Sequence, residues 1–343
     1  MNAEQINGQS VGGKRTRLAE AIPLYTPFMV QIFPAYACNF RCNYCIHSLP
    51  KKGRGFIADK SMMDFDLYKK CIDELAEFPQ KLKMLRFAAT GEPLLHPQIA
   101  EMVKYARDKK VAKSFDIVTN ASLLTNELSD NLIEAGLDWL RISIQGLSSK
   151  KYKEICRVDI NFDKFTENIR YFYKNKKECK IYIKIIDCAL EENEREKFYD
   201  IFGNICDKIA IEHLAPAVPN IDYTKLSNTP LATTQNGNAV QNAQICPQPF
   251  YMLQINPDGN IVPCCGMQTP FVCGNSQKEN IFDVWNGENL KKFQFAMLKK
   301  QKNNICSKCE AYKFGMFEED VLDGYEERII ANGKYLNKKV QCL

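Results

Sequence analysis

Three cysteines within eight residues place the strongest constraint on how this chain can fold. Cys38, Cys42 and Cys45 form a C-x3-C-x2-C run that supplies three thiolates from one short loop. A 4Fe–4S cube normally takes four cysteine ligands, so three with no fourth nearby indicate a cluster with one iron left open to another ligand. A zinc-binding loop and cysteines scattered through a core are the alternatives.

Alternating strand and helix patterns place this loop in an α/β fold. Residues 28–33 are typical of a buried strand, so the loop is expected to leave its carboxyl end, where parallel α/β barrels build their sites. Further strands are predicted near residues 83–88, 114–119, 138–144, 179–187 and 207–212, and helices near 64–78, 98–108, 125–136, 161–175 and 191–204. Six strand–helix units predict an incomplete, TIM-like (β/α)6 barrel around a parallel sheet.

Composition excludes several classes of protein. The chain has 343 residues, 45% of them hydrophobic, which is enough for a large domain and a smaller one. A net charge of +5 without a dense basic block argues against a nucleic-acid partner. No apolar run is long enough to span a membrane, and residues 1–20 lack the apolar core of a signal peptide. We therefore expect a cytoplasmic protein whose 15 cysteines are metal ligands and buried thiols rather than disulfides.

The end of the second predicted strand adds a second motif. Gly91-Glu92-Pro93 follows this strand, and Tyr44 is an aromatic residue just before the last cysteine of the loop. Strand, cysteine run and Gly-Glu-Pro together resemble the radical S-adenosylmethionine (SAM) superfamily, whose Gly-Gly-Glu-Pro motif holds the amino group of SAM. The resemblance implies that Tyr44, Gly91 and Glu92 bind SAM. Thr90 replaces the first glycine of the motif.

Two later strand ends fit the same resemblance. Asn120 follows the third strand, and Ser143 lies near the end of the fourth, where the family often has Ser-Ile-Asp-Gly and this chain has Gln145 in place of the Asp. Arg157 stands where the family has an arginine about a helix later. The resemblance implies that Asn120, Ser143 and Arg157 bind SAM; ordinary capping or surface residues are the alternative.

The last third of the chain contains a second group of cysteines. Asp258-Gly259 between alternating apolar residues predicts a hairpin that brings Cys246 close to Cys264, and Cys306 and Cys309 follow as a C-x2-C pair. This pattern resembles the SPASM domain of radical SAM enzymes, in its shortened form called twitch. The resemblance implies a second, auxiliary 4Fe–4S cluster held by these four cysteines, and a structural zinc site is the alternative.

The motifs divide the chain into four predicted segments. Residues 1–26 are expected to be a loosely ordered polar lead-in, 27–232 the partial barrel, 233–319 the auxiliary domain and 320–343 a C-terminal tail. The Asn/Gln-rich stretch 233–244 is the expected linker.

The resemblance also implies the chemistry. SAM would bind the open iron and be cleaved reductively to a 5′-deoxyadenosyl radical that takes a hydrogen atom from the substrate. The favoured reaction is oxidation or epimerisation of a sugar or aminocyclitol, as in the similar radical SAM dehydrogenases. Catalytic candidates are Cys265 as a hydrogen-atom donor and Glu212 or Lys184 as a base. A flavodoxin or ferredoxin is the expected reductant. Maturation of a ribosomally made peptide and a zinc-bound scaffold are the alternatives.

Overall fold

A computed structural model describes residues 1–88, 90–227 and 230–333. Its strands are β1 (Glu4–Gln5), β2 (Met29–Ile32), β3 (Met84–Phe87), β4 (Phe115–Thr119), β5 (Trp139–Ile144), β6 (Lys180–Ile186), β7 (Lys208–Glu212), β8 (Met252–Ile255), β9 (Asn260–Val262) and β10 (Gly274–Asn275). Its helices are α1 (Leu18–Ala21), α2 (Phe65–Ala76), α3 (Ile99–Asp108), α4 (Asn126–Glu134), α5 (Ser149–Cys156), α6 (Phe162–Asn175), α7 (Arg195–Phe202), α8 (Ile281–Asn286), α9 (Glu288–Leu298), α10 (Ala311–Phe314) and α11 (Glu326–Asn332).

The six strands β2 to β7 form the parallel sheet that the sequence predicts. Each strand pairs in register with the next, and the helices between them return the chain to the amino end of the sheet. On the helix side the strands carry fully buried aliphatic residues, such as Leu85, Ile117 and Ile183. The alternate residues face the concave side and include Arg86, which pairs in register with Asp116. The concave side of this sheet is therefore polar.

The sheet does not close into a barrel. Its strand order is β1-β7-β6-β5-β4-β3-β2-β8-β9-β10, so β1 covers one edge and β8 the other. β8 runs parallel to β2, and the side-chain amide of Gln31 on β2 donates to that of Gln254 on β8 at 2.9 Å. Gly259 turns the β8–β9 hairpin with a φ of +82°, a conformation that favours glycine. The predicted partial barrel is confirmed, and the predicted hairpin extends its sheet.

Two segments differ from the sequence-based expectation. The polar lead-in is not loose, because β1 pairs with β7 and Arg15 forms a bidentate ion pair with Asp320, at 2.5 and 2.7 Å. In the expected linker, Gln235 donates its backbone N–H to the carbonyl of Phe314 at 2.8 Å, and Thr234 is buried. Backbone pairing and burial thus fix segments whose composition alone suggested loops.

Among the described residues, no helix combines the length and the apolar character needed to cross a bilayer.

Candidate active site

The cysteine loop leaves the carboxyl end of β2, and α5 holds it in place. The backbone N–H groups of Arg41 and Asn43 donate to the carbonyls of Cys156 and Ile155, at 2.9 and 3.0 Å. These two carbonyls belong to the last turn of α5, where helix carbonyls have no partner within the helix. The end of α5 therefore fixes the loop that carries Cys38, Cys42 and Cys45.

Gly91 packs against the backbone that leads into this loop. A Cβ at Gly91 would overlap the carbonyl oxygen of Ala35 and approach that of Ala37 to 2.9 Å. The next residue, Glu92, donates its backbone N–H to the Ala37 carbonyl at 2.9 Å. The absent side chain thus lets the end of β3 touch the chain just before Cys38. Binding of SAM by Gly91 stays a prediction, and Ala89 before the motif lies outside the described residues.

Replacing Gly91 by alanine should destabilise the protein, since the added methyl group meets backbone that cannot rotate away. We expect the free energy of unfolding to fall by roughly 3 kcal/mol, the upper part of the range for overpacking. Urea unfolding of the cluster-free protein measures this value. Gly53→Ala is the matched control, because its Cβ would meet only Leu49 Cβ, at 3.9 Å. Equal stability of the two variants would contradict the prediction.

Glu92 is buried and ties the end of β3 to the end of β4. Its carboxylate accepts from the backbone N–H of Leu94 at 2.9 Å, the Thr119 hydroxyl at 2.6 Å and the backbone N–H of Asn120 at 2.7 Å. Burial raises the pKa of Glu92 to about 7, although these hydrogen bonds lower it. Both carboxylate oxygens are engaged by the protein, and contact with the SAM amino group stays a prediction.

The raised pKa of Glu92 predicts a pH-dependent stability. The folded protein holds this proton more tightly than the unfolded chain, whose glutamate pKa is 4.5. The stabilisation is therefore complete below pH 4.5 and is lost as the pH rises through 7, for a total of roughly 3 kcal/mol. Urea unfolding at pH 5 and pH 8 should show this loss in wild type and not in Glu92→Gln. Glu101→Gln, an exposed acid on α3, should retain it.

The remaining predicted SAM residues lie on the same rim of the sheet. Asn120 donates its side-chain amide to Asn39 of the cysteine loop at 2.9 Å. Ser143 pairs in register with Lys184 of β6, on the concave side. Arg157 is exposed, has a φ of +58° and directly follows the turn of α5 that holds the loop. The fold brings these residues to one edge, and their contacts with SAM stay predictions.

Buried polar atoms on this rim test whether the residues fit a polar ligand. Within the described residues, Asn43 Oδ1, the Tyr44 hydroxyl, Thr90 Oγ1 and Gln145 Oε1 are buried without a hydrogen-bond partner. Buried polar groups are ordinarily hydrogen-bonded, so such a cluster of them suits a polar ligand lying between the loop and the strand ends. These atoms fit SAM, and Cys38, Cys42 and Cys45 would hold the cluster beside it.

The four C-terminal cysteines come together although they lie far apart in the sequence. Burial raises the pKa of the Cys246 thiol, and the nearby thiols of Cys309 and Cys306 raise it further. Burial and Cys246 likewise raise the pKa of Cys264. Among the described residues, no three His, Cys, Asp or Glu side chains are grouped as ligands of a single metal ion. An auxiliary iron–sulfur cluster held by these four cysteines stays a prediction.

Cys265 faces the concave side of the sheet. Its backbone N–H donates to the side-chain oxygen of Gln248 at 3.1 Å, and its sulfur lies 3.6 Å from the same oxygen. Burial raises the pKa of Cys265, while the guanidinium of Arg86 on β3 is close enough to lower it. Cys265 also lies near the cysteine group, since the Cys309 thiol raises its pKa and Cys265 in turn raises the pKa of Cys246 and of Cys264.

The other two catalytic candidates line a cavity of about 380 Å³ on the concave side. Lys184 on β6 donates to Glu212 on β7 at 2.7 Å, and the Tyr182 hydroxyl donates to the other Glu212 oxygen at 2.9 Å. The N-terminal residues 10–16 and Phe317 also line the cavity. The proposed base and its cationic partner therefore lie together on the wall of this cavity.

Sequence reasoning missed the most strongly charged part of this cavity. Arg86, Arg141 and Asp116 form an ion-pair group on three neighbouring strands, and Asp116 is fully buried. The signal was present, because each of these charged residues stands in the middle of an otherwise apolar strand. A charged side chain in a buried strand needs a partner of opposite charge, so its presence in the sequence indicates an ion pair or a ligand site.

Fold and site together define an iron–sulfur protein built on a partial parallel barrel. Residues 32–197 match the model of the radical SAM superfamily, and residues 246–310 match the SPASM iron–sulfur cluster-binding domain. The chain carries a radical SAM domain followed by a C-terminal SPASM iron–sulfur domain. The two matches lie inside the predicted segments 27–232 and 233–319, whose boundaries stay predictions.

Two curated relatives illustrate the sequence similarity. The chain is 25% identical over 302 residues to the tungsten-containing aldehyde ferredoxin oxidoreductase cofactor-modifying protein of Pyrococcus furiosus, covering 75% of this chain and 80% of that protein. It is 36% identical over 131 residues to the GTP 3′,8-cyclase of Chlorobaculum tepidum, covering 38% of this chain and 36% of the cyclase. The chain thus spans little more than a third of that enzyme.

Solved structures share the fold at low sequence identity. BtrN in complex with AdoMet and 2-DOIA has a TM-score of 0.53 and 18% identity, covering 85% of this chain and 96% of BtrN. Streptococcus suis SuiB bound to the precursor peptide SuiA has a TM-score of 0.60 and 17% identity, covering 87% of this chain and 73% of SuiB. The two matched domains confirm the predicted cofactors. The radical SAM domain implies SAM and a 4Fe–4S cluster, and the SPASM domain implies auxiliary iron–sulfur binding. The residues that hold them stay predictions.

Proposed function

We propose that this radical SAM enzyme oxidises or epimerises a hydroxyl-bearing small molecule of the sugar or aminocyclitol type, with a flavodoxin or ferredoxin as reductant. The observation that carries the proposal is the Lys184–Glu212 pair in the concave cavity, 2.7 Å between Nζ and Oε2. A carboxylate beside an ammonium group on the wall of a cavity suits proton removal from a substrate hydroxyl.

The cofactors and the protein divide this chemistry. When bound, the cluster with SAM supplies a 5′-deoxyadenosyl radical that takes a hydrogen atom, and the auxiliary cluster supplies an electron acceptor. Glu212 takes the hydroxyl proton of the substrate, and Lys184 and Tyr182 hold the Glu212 carboxylate in place through hydrogen bonds. Residues 10–16 line one side of the cavity, where they would limit the access of water to the substrate.

Cys265 is the residue that would make epimerisation, rather than oxidation, the outcome of the proposed reaction. Its thiol lies between the auxiliary cysteines and Arg86, so it stands next to the concave side where the substrate would bind. Oxidation needs Glu212 and leaves a carbonyl, whereas epimerisation needs a thiol that returns a hydrogen atom to the opposite face. The thiyl radical left on the sulfur then takes an electron that comes from the flavodoxin or ferredoxin, and a proton from solvent, to restore the thiol. Cys265→Ala would abolish epimerisation and spare oxidation.

The test uses anaerobically reconstituted, full-length protein reduced with dithionite. Formation of 5′-deoxyadenosine from SAM tests the radical step. Deuterium transfer from a labelled sugar or aminocyclitol into 5′-deoxyadenosine tests substrate activation, with mass spectrometry of the products. A carbonyl product indicates oxidation, and inversion with solvent deuterium uptake indicates epimerisation. If no sugar or aminocyclitol transfers deuterium while 5′-deoxyadenosine still forms, the small-molecule proposal is wrong.

A further inference from the structure

The concave cavity is lined by more positive than negative side chains. Six cationic side chains and two carboxylates face it. The cations are Lys14, Arg15, Lys83, Arg86, Arg141 and Lys184, and the carboxylates are Glu212 and Asp320. Even when the buried Asp116 behind the lining is counted, the surrounding charge is positive. A cavity of one sign attracts a ligand of the other.

Two of these cations are neutralised locally. Arg15 is paired with Asp320 through both carboxylate oxygens, and Lys184 is paired with Glu212. Lys83 lies 3.4 Å from the centroid of the Phe28 ring and donates to the Thr16 hydroxyl, a neutral partner. In the described part of the chain, no carboxylate lies within ion-pair distance of Lys83. The unmatched positive charge of the cavity therefore does not come from the Arg15–Asp320 and Lys184–Glu212 ion pairs.

The arginine pair on β3 and β5 shares a single carboxylate. Arg86 binds both oxygens of Asp116, with Nε at 3.1 Å from Oδ1 and Nη2 at 2.9 Å from Oδ2. Arg141 places its Nε 2.5 Å from Oδ2 of the same carboxylate. Two guanidinium groups on one anion leave one positive charge in excess, and the Arg141 side chain is only 12% exposed. A cation in excess at this depth calls for another anion.

Arg141 also keeps hydrogen-bonding capacity. Arg141 lines the cavity. Within residues 1–88, 90–227 and 230–333, which the structure describes, neither Nη group of Arg141 makes a hydrogen bond. Burial lowers the pKa of Arg141, Asp116 raises it, and the nearby Arg86 lowers it again. A planar guanidinium presents its free donors in a fork that matches the two oxygens of a carboxylate or phosphate.

We propose that the substrate carries an oxyanion, a phosphate ester or a carboxylate, which binds Arg141 in this cavity. The inference rests on the proposed function, because it treats the cavity as the substrate site. Ser143 lies two residues beyond Arg141 on β5 and pairs in register with Lys184. The Lys184–Glu212 ion pair therefore lies one strand repeat closer than Arg141 to the rim where SAM is predicted to bind. That repeat is about 7 Å, which suits a monosaccharide with its anion at one end and its reacting carbon at the other. A cationic aminocyclitol would meet like charge here.

Binding of four hexose compounds tests the proposal without SAM or reductant. Isothermal titration of the reconstituted full-length protein would use glucose 6-phosphate, glucuronate, neutral glucose and cationic glucosamine. We expect at least one of the two anions to bind about 10- to 100-fold more tightly than glucose. A preference for glucose 6-phosphate identifies a phosphate ester, and a preference for glucuronate identifies a carboxylate. Glucose or glucosamine binding as tightly as both anions would overturn the proposal.

The Arg141→Gln variant assigns the effect to this side chain. It should lower the affinity for the preferred anion about 10- to 100-fold and leave glucose unchanged. Arg170→Gln, an exposed arginine on α6, is the matched control and should bind like wild type. Unchanged anion binding by Arg141→Gln would refute the assignment, and if this variant does not fold, the wild-type preference still decides. Anion binding without 5′-deoxyadenosine formation would contradict only the proposed function and would leave the anion site supported.

Discussion

Replacing Cys45 by alanine should abolish formation of 5′-deoxyadenosine, whereas replacing Cys246 should not. Wild type with two cubes should contain about eight irons, and each variant should contain about four. The effects differ because the two thiols belong to separate cysteine groups, one after β2 and one before β8. Cys246→Ala should therefore cleave SAM but fail to form oxidised product. Iron and sulfide analysis of anaerobic protein, together with the 5′-deoxyadenosine assay, measures both.

A third variant controls for general damage to the fold. Cys206→Ala removes a fully buried thiol that belongs to neither cysteine group, so iron content and SAM cleavage should match wild type. If Cys246→Ala retained about eight irons, the assignment of that ligand would be wrong. If the purified wild type contained zinc in place of half the iron, the auxiliary site would be the zinc alternative.

Replacing Glu212 by glutamine should reduce product formation by two to four orders of magnitude, the usual contribution of a general base. The amide keeps the size of the side chain and can still bond to Tyr182 or Lys184, but it cannot accept the substrate proton. SAM cleavage in the absence of substrate should be unaffected, because Glu212 lies on β7 away from the cysteine loop. Rates of product formation and of uncoupled 5′-deoxyadenosine formation, measured side by side, check the prediction.

Lys184→Met separates positioning from proton transfer. It removes the ammonium that holds Glu212, while the Tyr182 hydrogen bond is kept. We expect a smaller loss of product formation than in Glu212→Gln and a changed pH profile. A Glu212→Gln variant that turns over at the wild-type rate would show that another group takes the proton, and the base would have to be sought elsewhere around the cavity.

The sequence predicted the order of strands and helices because apolar periodicity is local. The three-cysteine loop, the Gly-Glu-Pro turn and the Cys246–Cys264 hairpin are also local, and each lies where expected. The helix α5 and the pairing of β1 with β7 were missed. The β1–β7 pairing depends on a partner distant in the chain, whereas α5 carries local signals that were overlooked, an N-cap at Ser148 and buried residues at helical spacing.

The charged group at the concave side shows the other limit of sequence reasoning. Asp116 follows Arg86 by 30 residues and Arg141 follows Asp116 by 25, and only the register of three parallel strands brings them into contact. Glu92 gives a similar lesson. Its motif predicts a ligand contact, but its hydrogen bonds to Thr119 and Asn120 depend on the neighbouring strand.

The parallel pairing of β8 with β2 constrains how far apart the two predicted clusters can lie. Cys38 follows the carboxyl end of β2 and Cys246 precedes the amino end of β8, so the segments that carry these cysteines leave one hydrogen-bonded ladder at its two ends. Four paired residues span about 13 Å. Main-chain bonds, rather than a flexible tether, would then hold donor and acceptor apart, and a substrate between them would be able to give up an electron without any domain movement.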